Sequence, residues 1–194
     1  MATIFESIKA GDQDAVRSAV RDDPSQAGAR DENGLSAVRA ALYAHRQDVA
    51  DVLLEAKPEL DVFDAAAAGD VDRLTKLLDD DPDLVGAWSE DGFNPLHLAA
   101  FFDRGKAVRL LLDRGAEVGA VAKNDMKVQP LHSAVAANSR EVVAALLTAG
   151  ADPNAKQQGG FTPLMAAQQH EEEGDMVRLL MDHGAEESAQ APTE

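Results

Sequence analysis

The 194-residue sequence contains no cysteine, which excludes disulfide bonds, thiolate metal ligands and cysteine nucleophiles together. Aromatic residues are scarce as well, at 4% of the chain, whereas hydrophobic residues make up 45%. A core of small aliphatic side chains favours closely packed helices over a β-sandwich, which would use β-branched and aromatic residues. The composition therefore predicts an all-α protein in a reducing compartment.

Long apolar segments are also missing from the sequence. No stretch approaches the roughly 20 apolar residues of a membrane-spanning helix. The residues from Met1 to Glu6 lack the basic and apolar regions of a signal peptide. We therefore expect a cytoplasmic protein with no membrane partner.

Basic residues are few, because 18 Lys and Arg stand against 35 Asp and Glu, a net charge of −17. A field of this sign repels phosphate backbones and anionic membranes and attracts basic proteins. The charge predicts a protein partner with a basic surface and no direct binding of nucleic acid. Solubility alone is the alternative explanation for the charge.

A repeated pattern is the strongest positive feature of the sequence. Pro95, Pro130 and Pro163 recur at nearly equal intervals, within the segments GFNPLHLAA, VQPLHSA and FTPLMAA. Each proline is followed by a leucine-rich run that closes in Gly-Ala, at 115–116, 150–151 and 184–185. A fixed period of about 20–50 residues indicates a stack of similar supersecondary units.

A second, longer period relates the more diverged N-terminal half to later residues. Residues 22–34 (DDPSQAGARDENG) correspond to residues 80–92 (DDPDLVGAWSEDG), so that Pro24 matches Pro82 and Gly34 matches Gly92. We call this spacing the double-repeat period, because it indicates that a two-repeat unit was copied. The repeat pattern thus predicts a single domain over 1–190, with a flexible tail at 188–194. Its six helix–turn–helix units fall at roughly 2–30, 31–60, 61–90, 91–123, 124–157 and 158–190.

Individual residues of the repeat have local reasons. The three prolines suit the first helical position, where a missing N–H costs nothing. Asn94 and Thr162 are suited to cap the helices that follow them. Glycines at the ends of second helices, such as Gly115, favour the left-handed turn. The second unit has Lys57-Pro58 at that place, which predicts an irregular connection.

These motifs and spacings resemble the ankyrin-repeat family over nearly the whole chain, and most closely in the three C-terminal units. The sequence is similar to the small stand-alone ankyrin-repeat proteins of bacteria. The resemblance implies a solenoid of about six repeats, each with two antiparallel helices and an outward β-turn finger. It further implies a curved array that binds protein partners on its concave face.

Histidines and one acidic loop are the candidates for chemistry. His97 and His132 hold equivalent positions in successive repeats, about 10 Å apart, and the resemblance implies that they hydrogen-bond the neighbouring repeat. The loop from Asp79 to Glu90 has acids at four EF-hand ligand positions, but Leu84 stands where the turn needs glycine. The sequence also contains no phosphate loop or serine elbow. We therefore predict no metal, no cofactor and no catalytic residue.

The resemblance also implies a ligand surface, formed by the finger tips and the exposed side of the first helices. The finger before Pro130 is longer than the others and brings lysines onto an acidic body. For Phe93 and Phe161, covering the core beneath the turn is the alternative role. The predicted partner-binding residues are Leu35, Tyr43, Trp88, Phe93, Phe101, Lys123, Asn124, Met126, Val128 and Phe161.

Three functions fit these features to different degrees. The favoured hypothesis is a non-catalytic, monomeric module that binds a protein partner through its concave face and fingers. The alternative is an acidic inhibitor that mimics nucleic acid, which requires carboxylates spaced like phosphates along one face. An enzyme is the third hypothesis, and it lacks a recognisable catalytic motif.

Overall fold

The computed structural model describes residues 3–169 and 174–187. Twelve α-helices follow one another in these residues, as six pairs joined by short turns. The helices are α1 (Ile4–Ala10), α2 (Gln13–Asp22), α3 (Ala37–Tyr43), α4 (Gln47–Glu55), α5 (Val62–Ala68), α6 (Val71–Asp80), α7 (Pro95–Phe101), α8 (Gly105–Asp113), α9 (Pro130–Ala136), α10 (Arg140–Thr148), α11 (Pro163–Gln169) and α12 (Gly174–Asp182).

The predicted all-α repeat solenoid is confirmed. Within the described residues, β-pairing is limited to one isolated bridge between Arg30 and Ser36. Short 3₁₀ turns occupy Pro24–Gly28, Pro82–Gly86 and Gln158–Gly160. No helix in the described part of the chain has the length and apolar character needed to span a membrane. The tail predicted at 188–194 lies outside the described residues.

The helices form two rows. In the inner row each odd-numbered helix packs against the next odd-numbered helix, from α1 to α11. In the outer row α2 packs on α4, and α6, α8, α10 and α12 pack in sequence. Alanines such as Ala65 and Ala66, both fully buried, let the inner helices approach closely. The core lies between the rows and includes Leu74 and Leu111 of the outer row and Leu96 of the inner row.

Polar side chains set the start of most inner helices. Ser36, Asp61 and Asn94 each accept a hydrogen bond from the backbone N–H three residues later. Thr162 does the same for α11, at 3.3 Å. The capping roles predicted for Asn94 and Thr162 are therefore confirmed.

The double-repeat period is also a structural period. Helices α1 to α4 return as α5 to α8 with every boundary shifted by this same spacing, and the first 3₁₀ turn returns as the second. An interlocking contact is shared too: Arg46 Nη2 donates to the Gly11 carbonyl at 2.7 Å, and Arg104 Nε donates to the Ala67 carbonyl at 2.9 Å. Each arginine covers the left-handed glycine that ends the preceding inner helix, Gly11 or Gly69.

The connections between helix pairs differ in length. Three of them, 23–36, 81–94 and 149–162, are equally long, and the connection 114–129 is slightly longer. We name their outward turns finger 2 (30–36), finger 4 (88–94), finger 5 (121–129) and finger 6 (156–162). The connection 56–61 is less than half as long as the others, so the third pair has no finger. The irregularity expected at Lys57-Pro58 is therefore the loss of a whole finger.

The chain still turns in the left-handed region at the end of α4, with φ of 52° at Lys57 where the equivalent Gly115 has 86°. A side chain in this region costs about 1 kcal/mol. We expect Lys57→Gly to raise the free energy of unfolding by roughly 0.5–1 kcal/mol, measured by urea denaturation. Gly115→Ala is the matched reverse change, because its added Cβ meets no atom within 4 Å. It should lower stability by about 1 kcal/mol, and two changes of the same sign would contradict the assignment.

Candidate functional site

Large and small side chains alternate at one position of the inner row. Tyr43 on α3 and Phe101 on α7 are separated by the small Ala68 of α5, so their rings approach to 6.2 Å between centroids. Phe102 adds a third ring, 5.2 Å from Tyr43. The next equivalent residue, Ala136, is exposed and leaves space beside Phe101.

That space is part of a cavity of about 320 Å³ on the exposed side of the inner row, which we call the apolar cavity. Its volume is at the lower end of the range for ligand pockets. Helices α3, α7 and α9 provide one side of it, and fingers 4, 5 and 6 provide the other. The lining residues are Tyr43, Phe93, His97, Leu98, Phe101, Met126, Val128, His132, Ser133, Ala136 and Gln157.

Two buried histidines fix the wall between helices and fingers. His97 Nε2 donates to the Val128 carbonyl of finger 5 at 3.1 Å, and His132 Nε2 donates to the Ala155 carbonyl at 3.1 Å. Burial lowers the pKa of His97 to about 4 and also lowers the pKa of His132. Both rings are therefore neutral at pH 7. His97 holds finger 5 of the next repeat, as the resemblance implied, and His132 holds the connection that leads to finger 6.

Finger 5 is held on both of its sides. The Lys123 amide donates to the Gly92 carbonyl of finger 4 at 2.8 Å, and the Gln158 amide donates to the Met126 carbonyl at 2.9 Å. Asn124 Nδ2 donates to the Asp91 carbonyl at 2.9 Å. The finger is thus fixed, although the Met126 side chain is 51% exposed at the edge of the apolar cavity.

Tyr43 is fixed from the other side of the apolar cavity. Its hydroxyl donates to Asp91 Oδ2 of finger 4 at 2.9 Å, and the Ser89 hydroxyl donates to the other oxygen of the same carboxylate. Burial and then the charge of Asp91 raise the pKa of the Tyr43 phenol. The Tyr43 hydroxyl therefore stays protonated and donates to Asp91, and this hydrogen bond fixes the orientation of the ring.

A buried ion pair replaces the histidines in the earlier repeats. Arg39 in the second unit and Asp64 in the third unit occupy the position that His97 has in the fourth unit. The two side chains are buried, since Arg39 is 3% exposed and Asp64 is 2% exposed. Arg39 Nε donates to Asp64 Oδ1 at 2.8 Å, and the Ser36 hydroxyl donates to that same oxygen at 2.6 Å. Burial, followed by the charge of Asp61, raises the pKa of Asp64 despite these donors.

A second cavity, of about 350 Å³, opens between fingers 2 and 4, where the third unit lacks a finger. We call it the finger gap. Four carboxylates surround it, and the Arg39 guanidinium forms part of its wall. The lining residues are Asp31, Glu32, Asn33, Gly34, Leu35, Arg39, Glu90 and Asp91.

Five of the ten predicted partner-binding residues meet in the apolar cavity. They are Tyr43, Phe93, Phe101, Met126 and Val128. Leu35 lines the finger gap instead, and Asn124 ties two fingers together. Phe161 lies on finger 6 and is 37% exposed, without lining the apolar cavity.

Trp88 and Lys123 contact each other rather than the apolar cavity. The Lys123 ammonium lies 4.6 Å from the centre of the Trp88 ring, a cation–π distance. The Trp88 ring is half-buried and lies 5.9 Å from the His97 ring, behind a lining residue. In the structure, Trp88 therefore supports the wall of the apolar cavity indirectly.

The sequence reasoning missed Arg39, Asp64 and Asp91. A signal for the first two was present, because the double-repeat period pairs Arg39 with His97 and the shorter repeat places Asp64 in the same slot. Asp91 gave no comparable signal, because its partner Tyr43 is 48 residues away along the chain.

Comparisons with known proteins agree with this architecture. The family model described as ankyrin repeats in three copies matches residues 62–157, and a single ankyrin repeat matches residues 159–191. The chain is 35% identical over 108 residues to human Neurogenic locus notch homolog protein 2, covering 55% of this chain and 4% of that protein. It is 29% identical over 163 residues to rat Ankyrin repeat and SAM domain-containing protein 6, covering 78% and 17% respectively.

A third relative is the Oryza sativa subsp. japonica protein named Probable E3 ubiquitin-protein ligase XBOS31. It is 38% identical over 95 residues, which cover 48% of this chain and 21% of the rice protein. The chain thus spans at most about a fifth of the length of these three relatives.

The buried ion pair predicts an asymmetric response to substitution. Asp64→Ala should lower the free energy of unfolding by about 3–5 kcal/mol, because Arg39 then stays buried without its carboxylate. The double change Arg39→Met with Asp64→Leu should recover most of that loss. Urea denaturation measures both. The exposed pair Arg17–Glu55 is the control, and Glu55→Ala should cost less than about 1 kcal/mol; equal costs for Asp64→Ala and Glu55→Ala would contradict this account.

The buried His97 predicts a loss of stability in mild acid. Its pKa falls from 6.5 to about 4 on folding, so its contribution is complete above pH 6.5 and is lost as the pH falls toward 4. Between pH 7 and pH 5 we expect His97 to account for a loss of about 2 kcal/mol in the free energy of unfolding. His97→Gln should remove that part of the pH dependence, whereas exposed His183→Gln should retain it.

The pKa of Asp64 is raised on folding, in the opposite direction to that of His97. This shift is present in the wild type and in both histidine variants, so it cancels when they are compared. An unchanged pH dependence in His97→Gln would mean that the imidazole is not the titrating group.

Proposed function

The chain belongs to the ankyrin-repeat family, and from that premise we propose that it is a non-catalytic, monomeric cytoplasmic module that binds a protein partner. The proposed contact surface is the exposed side of the inner row together with the fingers. It includes the apolar cavity, Leu35 in the finger gap, and the side chains of fingers 5 and 6. The partner's own surface is basic in this proposal, to match the net charge of −17.

The observation that carries the proposal is the apolar cavity. Its walls are fixed before any partner arrives, because Tyr43 is held by Asp91 and finger 5 is bonded to both of its neighbours. Interface hot spots are typically large side chains that enter such preorganised pockets. Met126, half exposed at the edge, supplies an adaptable apolar contact.

The environment of the titratable groups supports binding rather than catalysis. His97 and His132 line the apolar cavity, but both nitrogens of each ring are engaged within the chain. Each Nε2 donates to a backbone carbonyl, His132 Nδ1 accepts from the Gln129 amide at 3.2 Å, and His97 Nδ1 lies 2.7 Å from Asn94 Oδ1. A general base needs a free nitrogen within reach of a substrate proton. The ligase activity in the name of the rice relative belongs to a protein of which the matched segment is 21%.

Two of the carboxylates that an acidic mimic would need are engaged within the chain. Asp61 and Asp64 point to Arg30 at 2.8 and 2.9 Å, and Asp64 is buried as well. Carboxylates engaged in this way do not present a phosphate-like row to a nucleic-acid-binding protein.

Filling the apolar cavity tests the proposed function. Ala136→Phe adds a ring at an exposed position of the cavity wall, and Ala149→Phe adds the same ring at an exposed position directly after α10. Proteins retained from native lysate by the wild type and by Ala149→Phe should be lost with Ala136→Phe. With a purified partner, Ala136→Phe should raise the Kd by at least about tenfold.

Urea denaturation should show that both variants are folded. A partner that binds all three proteins equally would refute the role of the apolar cavity. A partner lost only on neutralising acidic residues away from the cavity would favour the nucleic-acid mimic.

A further inference from the structure

The finger gap and the apolar cavity are adjoining spaces. Tyr43 lines the apolar cavity, Asp91 lines the finger gap, and the hydrogen bond between them is 2.9 Å long. We propose that one short partner segment occupies both spaces, with a Lys or Arg side chain in the finger gap and a large apolar side chain in the apolar cavity. This inference rests on the proposed function and specifies the chemistry of the partner.

The finger gap is space that another finger fills elsewhere in the array. Between fingers 4 and 5, the Lys123 amide donates to the Gly92 carbonyl at 2.8 Å. The equivalent carbonyl in finger 2 belongs to Gly34, and it accepts from the Arg30 side chain at 2.9 Å instead. Arg30 thus satisfies the carbonyl, and the Glu90 side chain reaches over Gly34, where an added Cβ would lie 3.3 Å from it. Beside them a space of about 350 Å³ stays open.

The charge around the finger gap determines which side chain suits it. Four carboxylates line it, whereas Arg39 brings one positive charge whose Nε is already bonded to Asp64. In residues 3–169 and 174–187, Arg39 Nη1 is the one Lys or Arg nitrogen within 4 Å of these carboxylates, at 3.7 Å from Asp91. A guanidinium or ammonium group would offset the excess negative charge of the finger gap. Its charge-assisted hydrogen bonds would also fix the orientation of the bound segment.

The apolar cavity requires a different side chain from the same segment. Aromatic and aliphatic groups surround it, and its two histidines are neutral. In an extended segment, side chains two residues apart lie on the same face and are separated by about 7 Å. A basic and an apolar residue at that spacing can therefore enter both sides of the Tyr43–Asp91 pair.

Other occupants match at most one of the two spaces. A nucleic acid would bring phosphates against four carboxylates, which is unfavourable. An apolar small molecule would fill the apolar cavity and leave the finger gap uncompensated. A basic–apolar protein segment is the occupant that satisfies both.

The test uses a labelled dodecapeptide with a central Arg-Ser-Phe sequence in a Gly-Ser background, titrated into the full ¹⁵N-labelled chain. We expect amide signals of Gly34, Gly92 and Ala136 to shift together. Replacing Arg with Glu, or Phe with Ala, should each weaken the peptide by at least about tenfold. Binding of the Glu-containing peptide with equal affinity, shifts confined to other surfaces, or no binding at millimolar peptide would overturn the inference.

Variants of the chain then separate the two spaces. Glu32→Gln with Glu90→Gln should weaken binding of the Arg-Ser-Phe peptide by about tenfold. The same double change should leave the affinity of a control peptide, in which Gly replaces Arg and Phe is kept, unchanged. Glu117→Gln with Glu186→Gln removes the same charge at exposed sites outside both spaces and should have no effect. If both double variants weakened peptide binding equally, the charge dependence would come from the general electrostatic field of the protein. That result would overturn the specific site in the finger gap.

The outcome can be distinguished from that of the proposed function. Suppose that a captured partner is lost with Ala136→Phe but still binds the variant Glu32→Gln with Glu90→Gln. That result would sustain the proposed function, because binding would depend on the apolar cavity. It would at the same time reject the basic–apolar segment.

Discussion

A helix pair of this kind leaves one apolar side uncovered until a neighbouring pair stacks on it, and this constraint governs the structure. Several leucines of the outer row have no exposed surface, among them Leu74, Leu111 and Leu146. In a repeat array such burial depends on the neighbouring pairs. Stacking therefore has to be continuous in the inner row, and small residues such as Ala66 and Ala99 allow the close approach. The fingers contribute less to this core, so the array tolerates the loss of one.

Repeated sequence raises the problem of stacking in the correct order. Helices α1 to α4 and α5 to α8 share every boundary after a shift by the double-repeat period, so their surfaces are similar. The buried Arg39 distinguishes α3, because it needs a carboxylate on the adjacent inner helix, and Asp64 of α5 provides one. A buried polar pair of this kind favours the native order over alternatives that leave a charge unpaired.

The sequence predicted the fold from local chemistry, since Pro95, Asn94 and Gly115 act within their own repeat. It also identified the aromatic residues of the apolar cavity, because Tyr43 and Phe101 stand at matching repeat positions. Contacts that skip a repeat were not predictable in the same way. Asp91 meets Tyr43 only because the third unit lacks a finger, and neither residue carries a local sign of the other.

The short connection at 56–61 is also the joint between the two copies of the duplicated two-repeat unit. The finger gap beside it is what end-to-end copying of such a unit would leave, without any loop being redesigned. Each additional copy joined in the same way would produce another such cleft at the new joint, flanked by fingers of the same kind. Valency for a repetitive partner could then increase in whole units, with avidity gained from spacing rather than from new contacts.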